Sequence, residues 1–237
     1  MARVVVLSGA GISAESGLST FRESDGLWAN YSVDDVCTAG CLISNRDETI
    51  EFYDKRRTEL ADKEPNHAHK TLAELKNRYK DDIAIITQNV DDLFEKAGIA
   101  HEDVIHLHGY LTQVECEQCR EIFDIGYNKL NEVNNGRCQN CGSEFVRPNI
   151  VMFGEAAPQY GRLDREIQDC SLLVVIGTSG MVVGVNTIAH FVDRSILNNL
   201  EPSEAINDAY FDKVLYDKVT NTIDEIAYEI EAVLSQM

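Results

Sequence analysis

Val4-Val5-Val6-Leu7-Ser8 runs straight into Gly9-Ala10-Gly11-Ile12-Ser13-Ala14. The first part is a short apolar run rich in β-branched residues, the pattern of a strand buried on both faces. Gly9, Gly11 and Ala14 carry the G-x-G-x-x-G/A spacing. In that spacing the glycines allow a tight turn and let the backbone approach a ligand closely, and the helix that follows offers free N–H groups and its dipole to an anion. Strand, glycine turn and helix in this order suggest a dinucleotide site at the start of a parallel sheet. A hydride-transfer dehydrogenase fits poorly, because it places an acidic residue about 20 positions on, at the end of a second strand. Asp34 and Asp35 stand at that distance, but Trp28-Ala29-Asn30-Tyr31-Ser32-Val33 does not read as a core strand.

Further apolar runs repeat the pattern. Ile83-Ala84-Ile85-Ile86 reads as a second buried strand ending at Thr87-Gln88-Asn89-Val90-Asp91, and Val104 to His108 as a third, followed by Gly109. Leu172-Leu173-Val174-Val175-Ile176 is another, ending at Gly177-Thr178-Ser179-Gly180, and a short strand is expected over Ser195 to Leu200. Helical spacing of apolar residues covers about 47–62, 67–80 and 224–234. Strands alternating with helices predict an α/β fold with a doubly wound parallel sheet. Ligands of such sheets bind beyond the carboxyl ends of the strands. The polar clusters Gly9–Ser13, Gln88–Asp91, His108-Gly109 and Gly177–Ser179 all fall there, so four strand ends point into one crevice. Residues 1–25, 81–111 and 151–237 then form the dinucleotide-binding domain. A helical insertion (26–80) and a module at 112–150 build a smaller second domain.

Cys116-x-x-Cys119 and Cys138-x-x-Cys141 define that module. The 18 residues between the pairs match the spacing of a structural zinc site. Each pair sits on a tight knuckle, and four thiolates complete a tetrahedral shell with no position left for substrate, so the zinc should stabilise and do no chemistry. Asn134-Asn135-Gly136 and Gly142 supply turn residues near the second knuckle. Cys37, Cys41 and Cys170 have no matching partners and read as buried thiols.

The 237 residues are 44% apolar, enough for a core, with only four prolines. A net charge of −19 disfavours non-specific nucleic-acid binding and is compatible with basic partners such as lysine-bearing segments. The run after Arg3 is too short for a signal peptide, and no stretch approaches the roughly 18–20 apolar residues of a membrane span, so a cytoplasmic location is expected.

Taken together these motifs resemble the sirtuin family of NAD-dependent protein deacylases. The resemblance is carried by Gly9-Ala10-Gly11-Ile12-Ser13 with Ser16-Gly17 and Phe21-Arg22, by Thr87-Gln88-Asn89-Val90-Asp91, His108-Gly109 and the four cysteines, by Arg147-Pro148-Asn149-Ile150-Val151-Met152-Phe153-Gly154-Glu155, and by Gly177-Thr178-Ser179. They stand in the family's order and cover nearly the whole chain. The resemblance implies that NAD binds between the domains. The acyl oxygen of a modified lysine then attacks C1′ of the nicotinamide ribose and nicotinamide leaves. His108 deprotonates a ribose hydroxyl, which attacks the imidate carbon, leaving free lysine and acylated ADP-ribose. Imidazole suits this task because its ordinary pKa lies near neutrality.

Other roles carry over in the same way. The backbone of Gly9, Ala10, Gly11, Ile12 and Ser13 would hold phosphates. Phe21 and Arg22 would line the nicotinamide ribose, with Trp28 among the cofactor-binding residues. Gln88, Asn89, Val90 and Asp91 would order ribose and carboxamide, with Asn89 and Asp91 acting beside the His108 base. Gly177, Thr178 and Ser179 would hold the adenosine half, together with Asn199, Leu200, Glu201 and Val219. Val151, Phe153, Gly154 and Glu155 would meet the substrate peptide, pairing by backbone. The partners implied are acyl-lysine proteins; no nucleic acid, membrane or oligomer is required.

Plainer roles compete at some positions. His106 and His108 are two apart on a strand and share a face, so either fits the base by spacing alone. His67 and His69 read as capping or packing residues, Asp91 as a helix N-cap, and Phe153 as core. Tyr53 and Arg56, three apart on a helix, face the same way, and a phenol beside a guanidinium can bind a carboxylate. The pair resembles the Tyr-x-x-Arg of sirtuins that remove succinyl and malonyl groups. Departures from the family pattern are Thr20 before Phe21-Arg22, Val90, Asn149 and Gly184, none of which removes a catalytic group. ADP-ribosyl transfer to a protein, or a non-catalytic NAD-sensing or zinc-ribbon module, are the competing readings.

Overall fold

The computed structural model describes residues 2–19 and 33–235. Phe21, Arg22 and Trp28 lie outside them. Along the chain come β1 (Val4–Ser8), α1 (Gly11–Ala14), α2 (Val33–Val36), α3 (Cys41–Ser44), α4 (Arg46–Leu60) and α5 (His67–Tyr79). Next are β2 (Ile83–Thr87), α6 (Leu93–Lys96), β3 (Val104–His106), β4 (Gly109–Cys116), β5 (Ile122–Asp124) and β6 (Val146–Ile150). The chain finishes with α7 (Tyr160–Ile167), β7 (Leu172–Ile176), α8 (Val185–Phe191), β8 (Ser195–Asn199), β9 (Lys213–Tyr216) and α9 (Val219–Leu234).

Six strands form a parallel sheet in the order β3-β2-β1-β7-β8-β9. Val4 stands opposite Ile83 on one side and Leu172 on the other, and the register continues to Ser8 between Thr87 and Ile176. Every residue of β1, β2 and β7 is buried. Such unbroken apolar runs mark a parallel sheet covered on both faces. On one face Val4, Val6, Ile85 and Val174 pack under Leu72 and Leu75 of α5 and Ile223, Ile226 and Ile230 of α9. On the other, Val5, Leu7, Ile86 and Val175 meet Leu163 of α7 and Val185 and Ala189 of α8. Each large aliphatic side chain so buried contributes about 1.5–3 kcal/mol.

Numbered by their own sequence, the six strands run 3-2-1-4-5-6. The winding reverses between β1 and β7, and the crevice at such a switch point is where doubly wound sheets bind ligands. The two loops leaving β1 and β7 touch backbone to backbone: the Gly11 N–H donates to the Gly177 carbonyl at 2.8 Å. A Cβ on Gly11 would lie 2.6 Å from Gly177 Cα, and one on Gly9 2.8 Å from Gly177 O. The glycines are thus required first by packing of loop on loop.

The smaller unit is an antiparallel sheet, β5-β4-β6, with α4 against it. Phe52, Tyr53 and Leu60 of α4 share a core with Leu111, Ile150 and Met152. Arg57, fully buried, pairs with Asp54, and its Nε–H donates to the Leu111 carbonyl at 2.8 Å, while Asp54 accepts the Leu130 N–H at 3.1 Å. A buried pair of this kind adds little net stability but fixes α4 to β4, and breaking it costs about 3–5 kcal/mol.

Two boundaries differ from expectation. α5 is not part of the small unit; its apolar face lies on the parallel sheet beside α9. The small sheet begins at Gly109, directly after His108, rather than near 112. Several elements carried no clear sequence signal, among them α7, α8 and the edge strand β9, the last with residues that are half-buried or exposed.

Candidate active site at the sheet switch point

The loop after β2 is held by its neighbours on both sides. Gln88 N–H donates to the Ser8 carbonyl at 2.8 Å, and Asn89 N–H to Thr87 Oγ1 at 3.0 Å. Ser13 Oγ donates to Asp91 Oδ2 at 2.9 Å and accepts from Asn89 Nδ2 at 3.1 Å. Asp91 also accepts the Leu93 N–H at 3.2 Å, but the N-cap of α6 is Asp92, so Asp91 ties the start of the helix from one residue outside the cap. Burial pushes its carboxyl up, against the pull of these two donors. Ser13, Asn89 and Asp91 therefore come together as one polar cluster. Ser16 Oγ, on the first loop, is buried without a hydrogen-bond partner among the described residues. An orphaned hydroxyl, converging amide and carboxyl groups, and side-chain-free glycines suit a polar, phosphate-bearing ligand such as NAD.

His108 is tied to the same loop after β2. Its Nδ1 faces the Gln88 carbonyl at 2.9 Å, an acceptor only, so Nδ1 carries the proton and Nε2 presents the lone pair. Tyr160 donates its hydroxyl to that Nε2 at 3.0 Å. Tyr160 was not anticipated: it opens α7, five residues past Glu155, with no motif of its own. Burial lowers the His108 pKa below the ordinary imidazole value, outweighing the Gln88 carbonyl, which raises it. A base at neutral pH needs that direction. His106 is engaged elsewhere: Nε2 lies 2.8 Å from Glu95 Oε1 and Nδ1 3.2 Å from the Asn89 carbonyl. The two histidines thus differ in their partners, Glu95 for His106 and Tyr160 for His108.

The remaining positions divide. The Thr178 N–H donates to Asn199 Oδ1 at 3.0 Å and Asn199 Nδ2 returns to the Thr178 carbonyl at 2.9 Å. Gln88 Nε2 reaches Thr178 Oγ1 at 3.1 Å. Asn199 thus braces the loop after β7 through its side chain. Leu200 and Glu201 are exposed beside it, whereas Ile12 and Val219, the first residue of α9, sit in the core. The N–H groups of Ile12 and Ser13 close the turn on Gly9 and Ala10 carbonyls, and α1 is a single turn, so its backbone offers an anion less than a longer glycine-turn helix would. In the segment expected to meet the peptide, Phe153 donates to Cys37 O at 2.8 Å and accepts from Ala39 N–H at 2.9 Å. Its ring is exposed rather than core. Glu155 is tied to Arg147 at 2.9 Å and to the Met152 N–H at 2.9 Å, so it shapes the loop. Val151 is anchored to the His108 carbonyl at 2.9 Å, which couples this segment to the base.

Tyr53 and Arg56 converge near Cys37. The Tyr53 hydroxyl donates to Cys37 Sγ at 3.6 Å, and the Arg56 guanidinium lies 5.7 Å from the centre of the Phe52 ring. Burial raises the Cys37 thiol while Tyr53 and Arg56 both pull it down. Burial lowers the Arg56 pKa, and Tyr53, Cys37, Glu59 and Asp91 oppose that shift.

The four cysteines meet as their spacing requires. Cys116 and Cys141 sulfurs are 3.6 Å apart, as are those of Cys119 and Cys138, and all four lie within 4.8 Å of one another. A disulfide would need about 2.05 Å, whereas sulfurs bound tetrahedrally at about 2.3 Å from zinc stand about 3.8 Å apart. Both knuckles close alike: the Arg120 N–H returns to Cys116 O at 2.9 Å and the Gly142 N–H to Cys138 O at 3.0 Å, each with positive φ. The donors fit one structural zinc.

His69 is wholly buried behind the site, its Nδ1 3.1 Å from Asn66 Oδ1, while His67 pairs with Asp224 at the surface. Desolvation drives the His69 pKa down to about 3. Its unfolded value is about 6.5, so on acidification the unfolded chain takes up a proton the folded one refuses, at about 1.4 kcal/mol per pH unit. The stability is fully present above that unfolded value and declines as pH falls from there towards the folded one. Urea unfolding should therefore show wild type losing about 2 kcal/mol more than His69→Leu between pH 7 and pH 5. Equal losses in both proteins would refute this assignment.

A Sir2 family model matches residues 9–184. An NAD-dependent protein deacylase of Campylobacter jejuni (strain RM1221) is 46% identical over 231 residues, covering 98% of this chain and 97% of its own. One from Helicobacter hepaticus is 42% identical over 255 residues and covers 98% of both chains. Among solved structures, a Sir2 homologue–NAD complex superposes with a TM-score of 0.83 at 32% identity, covering 98% of this chain and 90% of that one. A mutant Sir2 homologue with ADP-ribose gives 0.84 at 32% identity, over 99% and 94%.

Proposed function

The chain belongs to the Sir2 family, and from that premise we propose that it removes acyl groups from lysine side chains of proteins, with His108 as general base and O-acyl-ADP-ribose as product. It is an enzyme, an NAD-dependent protein deacylase. The observation that carries the residue assignment is the His108 tautomer: Nδ1–H is committed to the Gln88 carbonyl, which leaves the Nε2 lone pair, here accepting from the Tyr160 hydroxyl, as the basic one. NAD supplies an electrophilic ribose carbon and nicotinamide as leaving group. Asn89 and Asp91, linked through Ser13, hold the ribose side. The loops of Gly9–Ser13 and Gly177–Ser179 hold the phosphate and adenosine side. Zinc on Cys116, Cys119, Cys138 and Cys141 keeps the small sheet folded beside the base.

The acyl group follows from α4. A buried phenol and a guanidinium three residues apart, both acting on the same thiol, form a site for the terminal carboxylate of a succinyl or malonyl group. Removing one charge-assisted contact is worth about 1.5–3 kcal/mol, or about 10- to 100-fold in kcat/KM. Matched succinyl- and acetyl-lysine peptides, read by mass spectrometry, test this. Arg56→Met should lose that factor on the succinyl peptide and change little on the acetyl one. An equal effect on both peptides would return Tyr53 and Arg56 to a structural role.

A further inference from the structure

Outside the crevice and the four-cysteine module, Glu95, His101 and His106 bring three metal-ligating side chains together. Glu95 lies on α6, His101 on the single 3-10 turn after it, and His106 at the end of β3. Glu95 Oε1 stands 2.8 Å from His106 Nε2 and 3.0 Å from His101 Nδ1, and the three donor atoms all lie within 4.8 Å of one another. Tyr110 walls the group, its ring 4.3 Å from that of His101 and 4.7 Å from that of His106. The His101 side chain is 46% exposed, so the cluster opens to solvent on one side.

Three features favour a cation over a simple hydrogen-bond network. First, both ring nitrogens point at one oxygen, while the other carboxylate oxygen, Oε2, is buried without a partner among the described residues. A buried oxygen left unpaired is destabilising, and a second ligating bond would recover that loss. Second, the opposite nitrogen of His106, Nδ1, faces the Asn89 carbonyl at 3.2 Å. Ligating histidines are commonly oriented by such a backbone acceptor, which fixes the ring and the tautomer. Third, an ion bound at about 2.0–2.2 Å by nitrogen and oxygen donors holds them about 3.3–3.5 Å apart, so an outward shift of a few tenths of an ångström completes the site, and His101 sits on an exposed turn. Burial pushes the Glu95 carboxyl up, but the hydrogen bonds to His106 and His101 outweigh it and hold the group below its ordinary value.

We infer that Glu95, His101 and His106 form a second divalent-metal site of the zinc class, with two imidazoles and one carboxylate as ligands and a fourth position open to water. It is separate from the four-thiolate site in donor chemistry as well as in place. Through His106 it touches the backbone of Asn89, so a bound ion would hold the loop that carries Asn89 and Asp91.

The test uses the full chain with its four-cysteine zinc in place. Zinc bound per chain is measured by titration against a chromophoric chelator, followed by elemental analysis, for wild type, His101→Ala and Glu95→Gln, with circular dichroism to verify folding. Wild type should bind two zinc ions per chain, and both variants one, the second site weakening by more than about 100-fold on loss of a direct ligand. Cobalt added to wild type that carries zinc at the four-cysteine site alone should give a weak nitrogen/oxygen ligand-field spectrum without thiolate charge transfer, absent in His101→Ala. One zinc per chain in wild type at saturation would overturn the proposal, as would a second zinc that persists in folded His101→Ala.

Discussion

His108→Ala is expected to lower kcat for lysine deacylation by about 100- to 10,000-fold, the range removed with a general base, while the fold persists. The side chain is half-buried, and its Nδ1 bond to Gln88 and Nε2 bond to Tyr160 hold a ring without filling the hydrophobic core. The chain's path at this point is set next door. Gly109 has φ +94°, and a Cβ there would stand 2.1 Å from the Asn149 carbonyl oxygen. The substitution therefore removes chemistry and leaves geometry. The pH profile offers a second check. Burial favours the neutral ring, so the acid limb of kcat/KM should fall below the ordinary imidazole value of about 6.5. A variant that turns over at the wild-type rate would eliminate His108 as the base.

Loss of zinc should have a comparably large effect by a different route. Structural zinc contributes an apparent binding free energy of about 10–16 kcal/mol, as much as the whole stability of an ordinary domain, about 5–15 kcal/mol. The small module has a modest core of its own, chiefly Val114, Ile125, Leu130 and Val146 around Cys116 and Cys138. Its two ends join the site directly: Gly109, after His108, pairs with Ile150, before Val151. Cys138→Ser, or stripping with a thiol-reactive mercurial, should release one equivalent of zinc from the thiolate site. It should also expose 109–150 to protease and abolish deacylation. An apo protein that kept its protease resistance and activity would show that these thiolates do not hold the module together.

Much of this arrangement was legible in the chain because buried parallel strands are unbroken apolar runs. Val4–Leu7, Ile83–Ile86 and Leu172–Ile176 pack on both faces and leave no room for polar residues. The thiolates were legible because a metal imposes its own spacing. β9 was not, since an edge strand with half-buried residues lacks both the run and a clean alternation. The placing of α5 was not, because an amphipathic stripe shows that a helix is buried and not what buries it. Gly9 and Gly11 suggested approach to a ligand, yet the nearest obstacle to a Cβ at either is the loop after β7, 168 residues along the chain from Gly9. The different surroundings of His106 and His108 were not legible either, since they depend on Glu95, which pairs with His106 across the fold. Tyr160 and the brace formed by Asn199 are long-range hydrogen bonds, invisible to any local pattern.

The most direct test of the central claim is a mass balance of the reaction. Purified enzyme, NAD and an acyl-lysine peptide are incubated, and nicotinamide, free-lysine peptide and acyl-ADP-ribose are quantified together by mass spectrometry. The expected result is equal molar amounts of all three, with none formed without NAD, and with free-lysine peptide and acyl-ADP-ribose formed by His108→Ala at least about 100-fold more slowly. Deacylated peptide formed without NAD consumption, or nicotinamide released with ADP-ribose appearing on the peptide in place of deacylation, would contradict the account.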